Sequence, residues 1–524
     1  MHPKTIHDRR WATLAVLSLS LLIIGLDNTI LNVALPTLVR ELGATSSELQ
    51  WILDSYMLVF AGLLLTMGAI GDRFGRKAAL NSGLIIFGVA SVFAAFSDSA
   101  NSLIVARAFM GIGAALIMPS TLSIITNVFS GKERGKAIGV WAAVAGLGAI
   151  LGPAVGGWLL EHFWWGSVFL INIFVVAIAI ATGFVLVPES KDEEATPLDL
   201  VGAGLSIIGL GGLVFAIIEA PARGWTDELV LICFSLALAM LTLMLIWEKR
   251  TTYPMLRLEF FRNPRFSAAS ATIVTISFGM LGSVFLLTQY LQFVLRFSPL
   301  EAGIRLLPMA SLVVAAPVAA NVVERVGTKK VVVTGMIFIA VALGWLAMAT
   351  IDSGYGHVAV SLLLLGAGLG VAGAPATDSI MGSLPLAKSG VGSAMNDSTR
   401  MVGASLGVAV LGSALASTYS SEMASVTGSL TAEQAALASD SIGGTLTVAV
   451  ELASAGVESW AAAASLVAGA NQAFVNAMSA AALIGTAVAI VGAIIAWRYL
   501  PALPLDPEER DRLYEDRKKT PTQS

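Results

Sequence analysis

The sequence predicts an all-α polytopic membrane protein with the major architecture of two six-helix bundles plus two inserted helices, fourteen transmembrane helices in all. Three observations predict it. First, 56% of the 524 residues are hydrophobic and only 13% are charged, with mean hydropathy +0.81, which excludes a soluble globular chain and a disordered one alike. Second, apolar runs long enough to cross a bilayer, about 20 residues each, recur along nearly the whole chain. Third, one charged loop pattern occurs twice, a coincidence that chance rarely produces.

Taken in order, the runs fall at about 12–35, 51–71, 78–97, 102–126, 137–160, 165–187, 198–219, 228–247, 267–294, 301–323, 330–350, 357–379, 391–418 and 474–497. The first follows Lys4, Arg9 and Arg10 but is too long, and lacks a small-residue cleavage site, for a removable signal peptide. An even number of spans puts both termini on one side. Of the 31 Lys and Arg, Arg40, Arg223 and Arg296 lie on one set of loops, Arg107, Arg305 and Arg400 lie within or at the edge of spans, and all the others fall on the set that includes the termini. By the positive-inside rule both termini are expected to be cytoplasmic, in a multi-pass protein of the cytoplasmic (inner) membrane.

The repeat sets the division. Asp72, Arg73, Gly75 and Lys77 follow the second span; Glu324, Arg325, Gly327 and Lys329 follow the tenth at the same offsets, 252 residues on. The expected units are an N-terminal bundle (1–190), an inserted pair (191–250), a C-terminal bundle (251–500) and a tail (501–524). Mixed charge and few apolar residues predict a disordered cytoplasmic tail. Residues 419–473 carry five acids and no Lys or Arg; their apolar spacing fits a short amphipathic hairpin on the outer surface, with a linker as the alternative. Two halves of this kind suit alternating access around a site between them.

Asp27 is the leading candidate for chemistry. A charged residue at the centre of a lone transmembrane helix costs roughly 2.5–3.5 kcal/mol on insertion scales, so it is kept where it faces a protein interior or a water path. A carboxyl whose proton occupancy depends on water access is what a proton-coupled machine needs. Arg107, in the outer half of the fourth span, lies at a similar depth and within reach of Asp27. Asp54, on the second span, belongs to the same outer half, so the arginine is expected beside both acids. In the second half, Asp378 ends the twelfth span, and Asn396, Asp397 and Arg400 begin the thirteenth; Asp397 and Arg400 share a helical face and can pair. Thr288, Gln289 and Gln292 are polar groups that fit either a cavity lining or a snorkelling position. The acids Asp27, Asp54, Asp378 and Asp397 outnumber the bases Arg107 and Arg400 within the spans, which favours a cation as substrate. Aromatic residues such as Tyr56 can add cation–π contacts.

In the first loop, Gly68 and Gly75 allow close approach and a tight turn, while Asp72, Arg73, Arg76 and Lys77 can pair across helix ends as a cytoplasmic latch; Glu324 and Arg325 repeat it. In the fifth span, Gly148, Gly152, Gly156 and Gly157 permit close helix contact, and Pro153 removes a backbone hydrogen bond. Cys233 is the one cysteine, and the four histidines are scattered without ligand spacing. No metal site is expected.

Residues 68–77, 103–115 and 148–157 resemble the loop signature, the helix-four arginine signature and the helix-five antiporter signature of the major facilitator superfamily. Residues 26–36 resemble the helix-one signature of its fourteen-helix drug/proton antiporter family. The chain is most similar to the Qac-type exporters of quaternary ammonium compounds and dyes, through Trp51-Ile-Leu-Asp54-Ser-Tyr56 and residues 118–123 and 307–310. The resemblance implies proton-coupled export of lipophilic, monocationic drugs, antiseptics or dyes. It also implies that Asp27 and Arg107 serve proton coupling, and that Asp27, Asp54, Asp397, Gln289 and Tyr56 recognise the cation. The expected partners are small lipophilic cations, protons and the bilayer, without nucleic acid; the expected state is a monomer driven by the proton gradient, with no cofactor. Two positions depart from the pattern: Met110 replaces the usual glutamine, and residues 311–320 lack an acid that some relatives carry, which weighs against dicationic substrates. An exporter of an endogenous metabolite or lipid fits the same fold. A membrane enzyme fits poorly, because no paired catalytic constellation or phosphate-binding loop is present.

Overall fold

The computed structural model describes residues 3–129, 131–191, 199–254, 258–381, 383, 389–428, 430–454 and 458–500, and among them no strand occurs. The first six helices are α1 (Pro3–Leu42), α2 (Ser46–Phe74), α3 (Arg76–Ala95), α4 (Ala100–Val128), α5 (Gly131–His162) and α6 (Ser167–Leu186). The inserted pair is α7 (Leu200–Arg223) and α8 (Glu228–Arg250). There follow α9 (Pro264–Gln289), α10 (Pro299–Arg305), α11 (Ser311–Val326), α12 (Thr328–Leu346), α13 (Tyr355–Met381), α14 (Ser389–Met423), α15 (Ala432–Asp440), α16 (Ile442–Ser454) and α17 (Glu458–Tyr499). Among the described residues twelve helices are long and apolar enough to cross a bilayer, α10 and α11 counting as one, and thirteen with the α2 pair bent by 52°. The 32-residue α5 is a further long helix; among the described residues twelve or thirteen spans thus stand where the sequence predicts fourteen. The tail 501–524 lies outside the described residues.

We call the face at which α1 begins proximal and the opposite face distal. The helix pairings repeat along the chain: α1 packs on α5 and α6, and α2 and α3 on α4; likewise α9 packs on α14 and α17, and α11 and α12 on α13. The loop repeat has the same backbone in both copies. Gly75 (φ +118°) joins α2 to α3 and Gly327 (φ +89°) joins α11 to α12, each in the positive-φ region that glycine enters without a Cβ penalty.

The two largest cross-contacts between these sets of helices are α2 against α14 and α5 against α10. Helix α7 lies over the first of these seams, packed on both α2 and α14. Pro221, inside α7, has no N–H for the carbonyl four residues back, and that Ile217 carbonyl accepts the Ser413 hydroxyl of α14 at 2.5 Å. The adjacent Ile218 carbonyl accepts the Ser47 hydroxyl of α2 at 3.3 Å. Helix α8 packs chiefly on α7 and turns Leu231, Ile232 and Leu238 outward.

Several expected boundaries shift. The first span runs through Pro36 to Leu42. The tenth is interrupted at Leu307–Ala310 by a 3₁₀ turn around Pro308, which lacks the N–H that would continue the helix. The stretch 419–473 holds the short helices α15 and α16, which pack on each other as a hairpin. Asp440 fixes it to α2: its carboxylate accepts the Ser46 N–H at 3.1 Å and its carbonyl the Ser46 hydroxyl at 2.7 Å.

Candidate functional site

Asp27 and Arg107 are 0% and 1% exposed and form a buried ion pair, Nη1 of the arginine donating to Oδ2 of the aspartate. The other carboxylate oxygen accepts a hydrogen bond from Asn172 Nδ2 of α6 at 3.3 Å, and the same amide donates to Ser91 Oγ of α3 at 3.2 Å. Arg107 Nε donates to the Ile52 carbonyl of α2 at 3.1 Å. Its Cζ sits 4.3 Å from the centre of the Tyr56 ring, and Nη1 also reaches Met110 Sδ at 3.9 Å. Gly111 makes this approach possible, since a Cβ there would stand 2.7 Å from the Tyr56 carbonyl oxygen. The guanidinium therefore has an ionic partner, a carbonyl and an aromatic face, the combination that offsets the desolvation of a buried pair.

Asp54 does not join this group. At 100° per residue, Ile52 and Tyr56 bracket the Arg107 side of α2 while position 54 falls on the far side. There Asp54 is 0% exposed, neither oxygen has a hydrogen-bond partner among the described residues, and its neighbour is Ser405 of α14. The arginine expected beside both acids thus pairs with Asp27 alone. Asp397 is on α14 eight residues proximal of Ser405, about 12 Å along the axis. It accepts from Asn396 Nδ2 at 3.4 Å, and no ion pair joins it to the exposed Arg400. The three acids occupy three places. Asp378 of α13 is exposed.

The Tyr56 ring, expected to meet a substrate cation, is covered by Arg107. Gln289 is buried and donates to the Phe285 carbonyl of its own helix at 3.3 Å. Its neighbour Gln292 instead crosses between helix sets, donating to the Val33 carbonyl of α1 at 2.8 Å.

In the proximal loop Arg76 pairs with Asp72 at 2.8 Å, joining the end of α2 to the start of α3. The Arg76 N–H donates to the Ser190 carbonyl at 2.9 Å and Lys77 Nζ to the Phe184 carbonyl at 2.8 Å, which clamps the loop to the end of α6. A Cβ on Gly75 would stand 2.8 Å from Glu189 Oε1, and one on Gly68 would stand 3.3 Å from Pro119. Arg73 is exposed with its Cζ 5.6 Å from the Phe74 ring. In the second copy Arg325 is exposed, and the Glu324 side chain lies outside those described.

The glycines of α5 face two neighbours. A Cβ on Gly148 would stand 2.7 Å from the Leu22 carbonyl oxygen, on Gly152 2.9 Å from that of Leu26, and on Gly156 2.6 Å from Ile30 Cγ1. Gly157 instead meets α10, where a Cβ would stand 2.5 Å from Leu300 Cα. Gly303 of α10 returns the contact, a Cβ there falling 2.6 Å from the Pro153 carbonyl carbon. With the Gln292–Val33 bond, these contacts close the distal face between the helix sets.

Asn172 and Ser91 escaped the sequence reading. The signal was there: Asn172 is the one amide side chain in α6, and a polar group at membrane depth marks a partner.

A model described as Major Facilitator Superfamily matches residues 17–408. Multidrug efflux pump LfrA of Mycolicibacterium smegmatis is 36% identical over 491 residues, covering 92% of this chain and 96% of that protein. Methyl viologen resistance protein SmvA of Salmonella typhimurium is 37% identical over 441 residues, 83% of this chain and 88% of that protein. Among solved structures, a bacterial homologue of the human lysosomal transporter Spinster superposes with TM-score 0.60 at 18% identity, covering 94% of this chain and 98% of that one. The xylose transporter XylE from E. coli gives 0.57 at 14%, covering 96% and 99%.

Proposed function

The chain belongs to the Major Facilitator Superfamily, and on that premise we propose that it exports lipophilic cationic drugs by alternating access in exchange for protons. The relatives named for multidrug efflux and methyl viologen resistance support export of drug-like compounds. The observation that carries the coupling is the buried Asp27–Arg107 pair, held by four helices of one bundle. Protonating Asp27 removes the ionic half of this contact and leaves Arg107 with the Ile52 carbonyl and the Tyr56 ring. The packing of α1 against α4 then differs between the two protonation states, as a two-state machine requires.

Asp54 is the acid whose oxygens are free to face a cation, and it lies where α2 meets α14. Parting that seam uncovers it. A cation and a proton neutralise the same negative charge, so one disfavours the other, and that competition is sufficient for exchange. The proximal face is the cytoplasmic one in this reading, because Arg73, Arg76, Lys77, Lys329 and Lys330 all lie there. A single cationic charge suits one free acid.

The test is transport in proteoliposomes. Asp27→Asn is expected to abolish pH-gradient-driven efflux while sparing downhill movement of the same dye; retention of gradient-driven efflux sinks the coupling role. Because the amide leaves Arg107 without its counter-charge, this variant is compared with Asp27→Asn/Arg107→Gln, which removes both charges. For the cation, a permanently charged compound is compared with its neutral isostere and with dicationic methyl viologen. Equal handling of the neutral compound, unchanged in Asp54→Asn, overturns the cation reading.

A further inference from the structure

We propose that the bilayer-facing groove between α12 and α17 is a binding site for an anionic phospholipid of the proximal leaflet. This inference rests on the membrane fold alone. The groove has a volume of about 470 Å³ and an almost wholly apolar lining. Val333, Ile337 and Val341 line it from α12, and Ile490, Ile494 and Trp497 from α17. Positions 333, 337 and 341 repeat every four residues, as do 490, 494 and nearly 497, so each set is one stripe along its helix. From Thr486 to Trp497 the stripe rises about 16 Å, close to half of the roughly 30 Å hydrocarbon core. An acyl chain of one leaflet matches that length.

The proximal end of the groove supplies the complementary charge. Lys329 lies one helical turn before Val333, with Nζ 6.0 Å from the Trp497 ring. Lys330 and Arg498 flank it, both exposed. Among the described residues none of these three bases has an ion pair. An apolar slot ending in three cations and an interfacial tryptophan is the arrangement that recognises a lipid phosphate together with its chain. The headgroup must carry net negative charge for these cations to discriminate it from a zwitterionic one.

Native mass spectrometry of the purified full chain, released from detergent with an equimolar mixture of phosphatidylglycerol and phosphatidylcholine, tests this. One phosphatidylglycerol is expected to be retained preferentially per chain. Each basic residue near a lipid surface contributes roughly a fivefold preference, so Lys329→Gln/Lys330→Gln is expected to reduce the preference by at least about tenfold. Ala493→Leu, which narrows the groove, is expected to weaken retention of both lipids. A second measurement needs no variant: phosphatidylglycerol with a photoreactive group in mid-chain is expected to label peptides containing 333–341 or 486–497. Equal retention of the two lipids, an undiminished preference in the double variant, or labelling elsewhere overturns the proposal. So does a stable dimer of the chain that retains no phosphatidylglycerol, since a second copy would then cover the groove.

Discussion

The Asp27–Arg107 pair shows how a single residue's partners decide the effect of changing it. Arg107→Met leaves a buried carboxylate without its cation and is expected to cost about 3–5 kcal/mol. Arg107→Lys keeps the charge but loses the forked geometry that reaches the Ile52 carbonyl and covers Tyr56. It is therefore expected to fall between wild type and Arg107→Met in thermal unfolding. Asn172→Ala strands Asp27 Oδ1 and Ser91, an expected loss of about 1–3 kcal/mol, measured in the same assay. The Asp27–Arg107 approach was legible from depth alone, because both sit at similar heights in adjacent spans. The isolation of Asp54 was not legible at that level. Depth along an axis says nothing about rotation around it, and two positions from Ile52 the side chain points away from Arg107.

At the scale of elements, contact between α5 and α10 depends on two glycines from different helix sets. Gly303→Ala places a methyl group against the Pro153 carbonyl, and overpacking of this kind costs about 1–3 kcal/mol. The variant is expected to loosen the distal face, read as faster labelling of a cysteine placed at Leu300. Labelling at the wild-type rate refutes the role of this contact. The α5 glycine pattern announced close packing, but its partner α10 was hidden, since Gly303 sits in a seven-residue helix with no spacing of its own. The broken tenth span was hidden for a related reason. Hydropathy registers the apolar residues around Pro308 and passes over the one missing N–H.

For the whole molecule, the repeat of acid, Arg, Gly and Lys in sequence corresponds to one loop geometry occurring twice, at Gly75 and Gly327, amid repeated helix pairings. Composition and apolar length sufficed for the class of fold. They did not reveal that α7 covers the α2–α14 seam, because an apolar helix reads the same whether it meets lipid or protein. Topology has a direct check. With Cys233 replaced by Ala, single cysteines at Ser420 and Gln523 are expected to react with impermeant reagent from the outside and the inside respectively; reaction of both from one face rejects α17 as a span between them.

The two tethers of α7 have a mechanical consequence. Ser47 and Ser413, one from each helix set, hold consecutive carbonyls, and consecutive Cα atoms are fixed about 3.8 Å apart by a rigid peptide plane. At that height covalent geometry gauges the gap between α2 and α14, and the level acts as a fulcrum. From Ser413 back to Ser389 the lever arm is about 36 Å, so a slight tilt at the pivot becomes long travel at the proximal mouth. At the opposite edge α5 meets α10 through a solvent-exposed bond from the Ser298 hydroxyl to Glu161, so distal opening is expected to begin there, with the stroke of a clam hinged along one side.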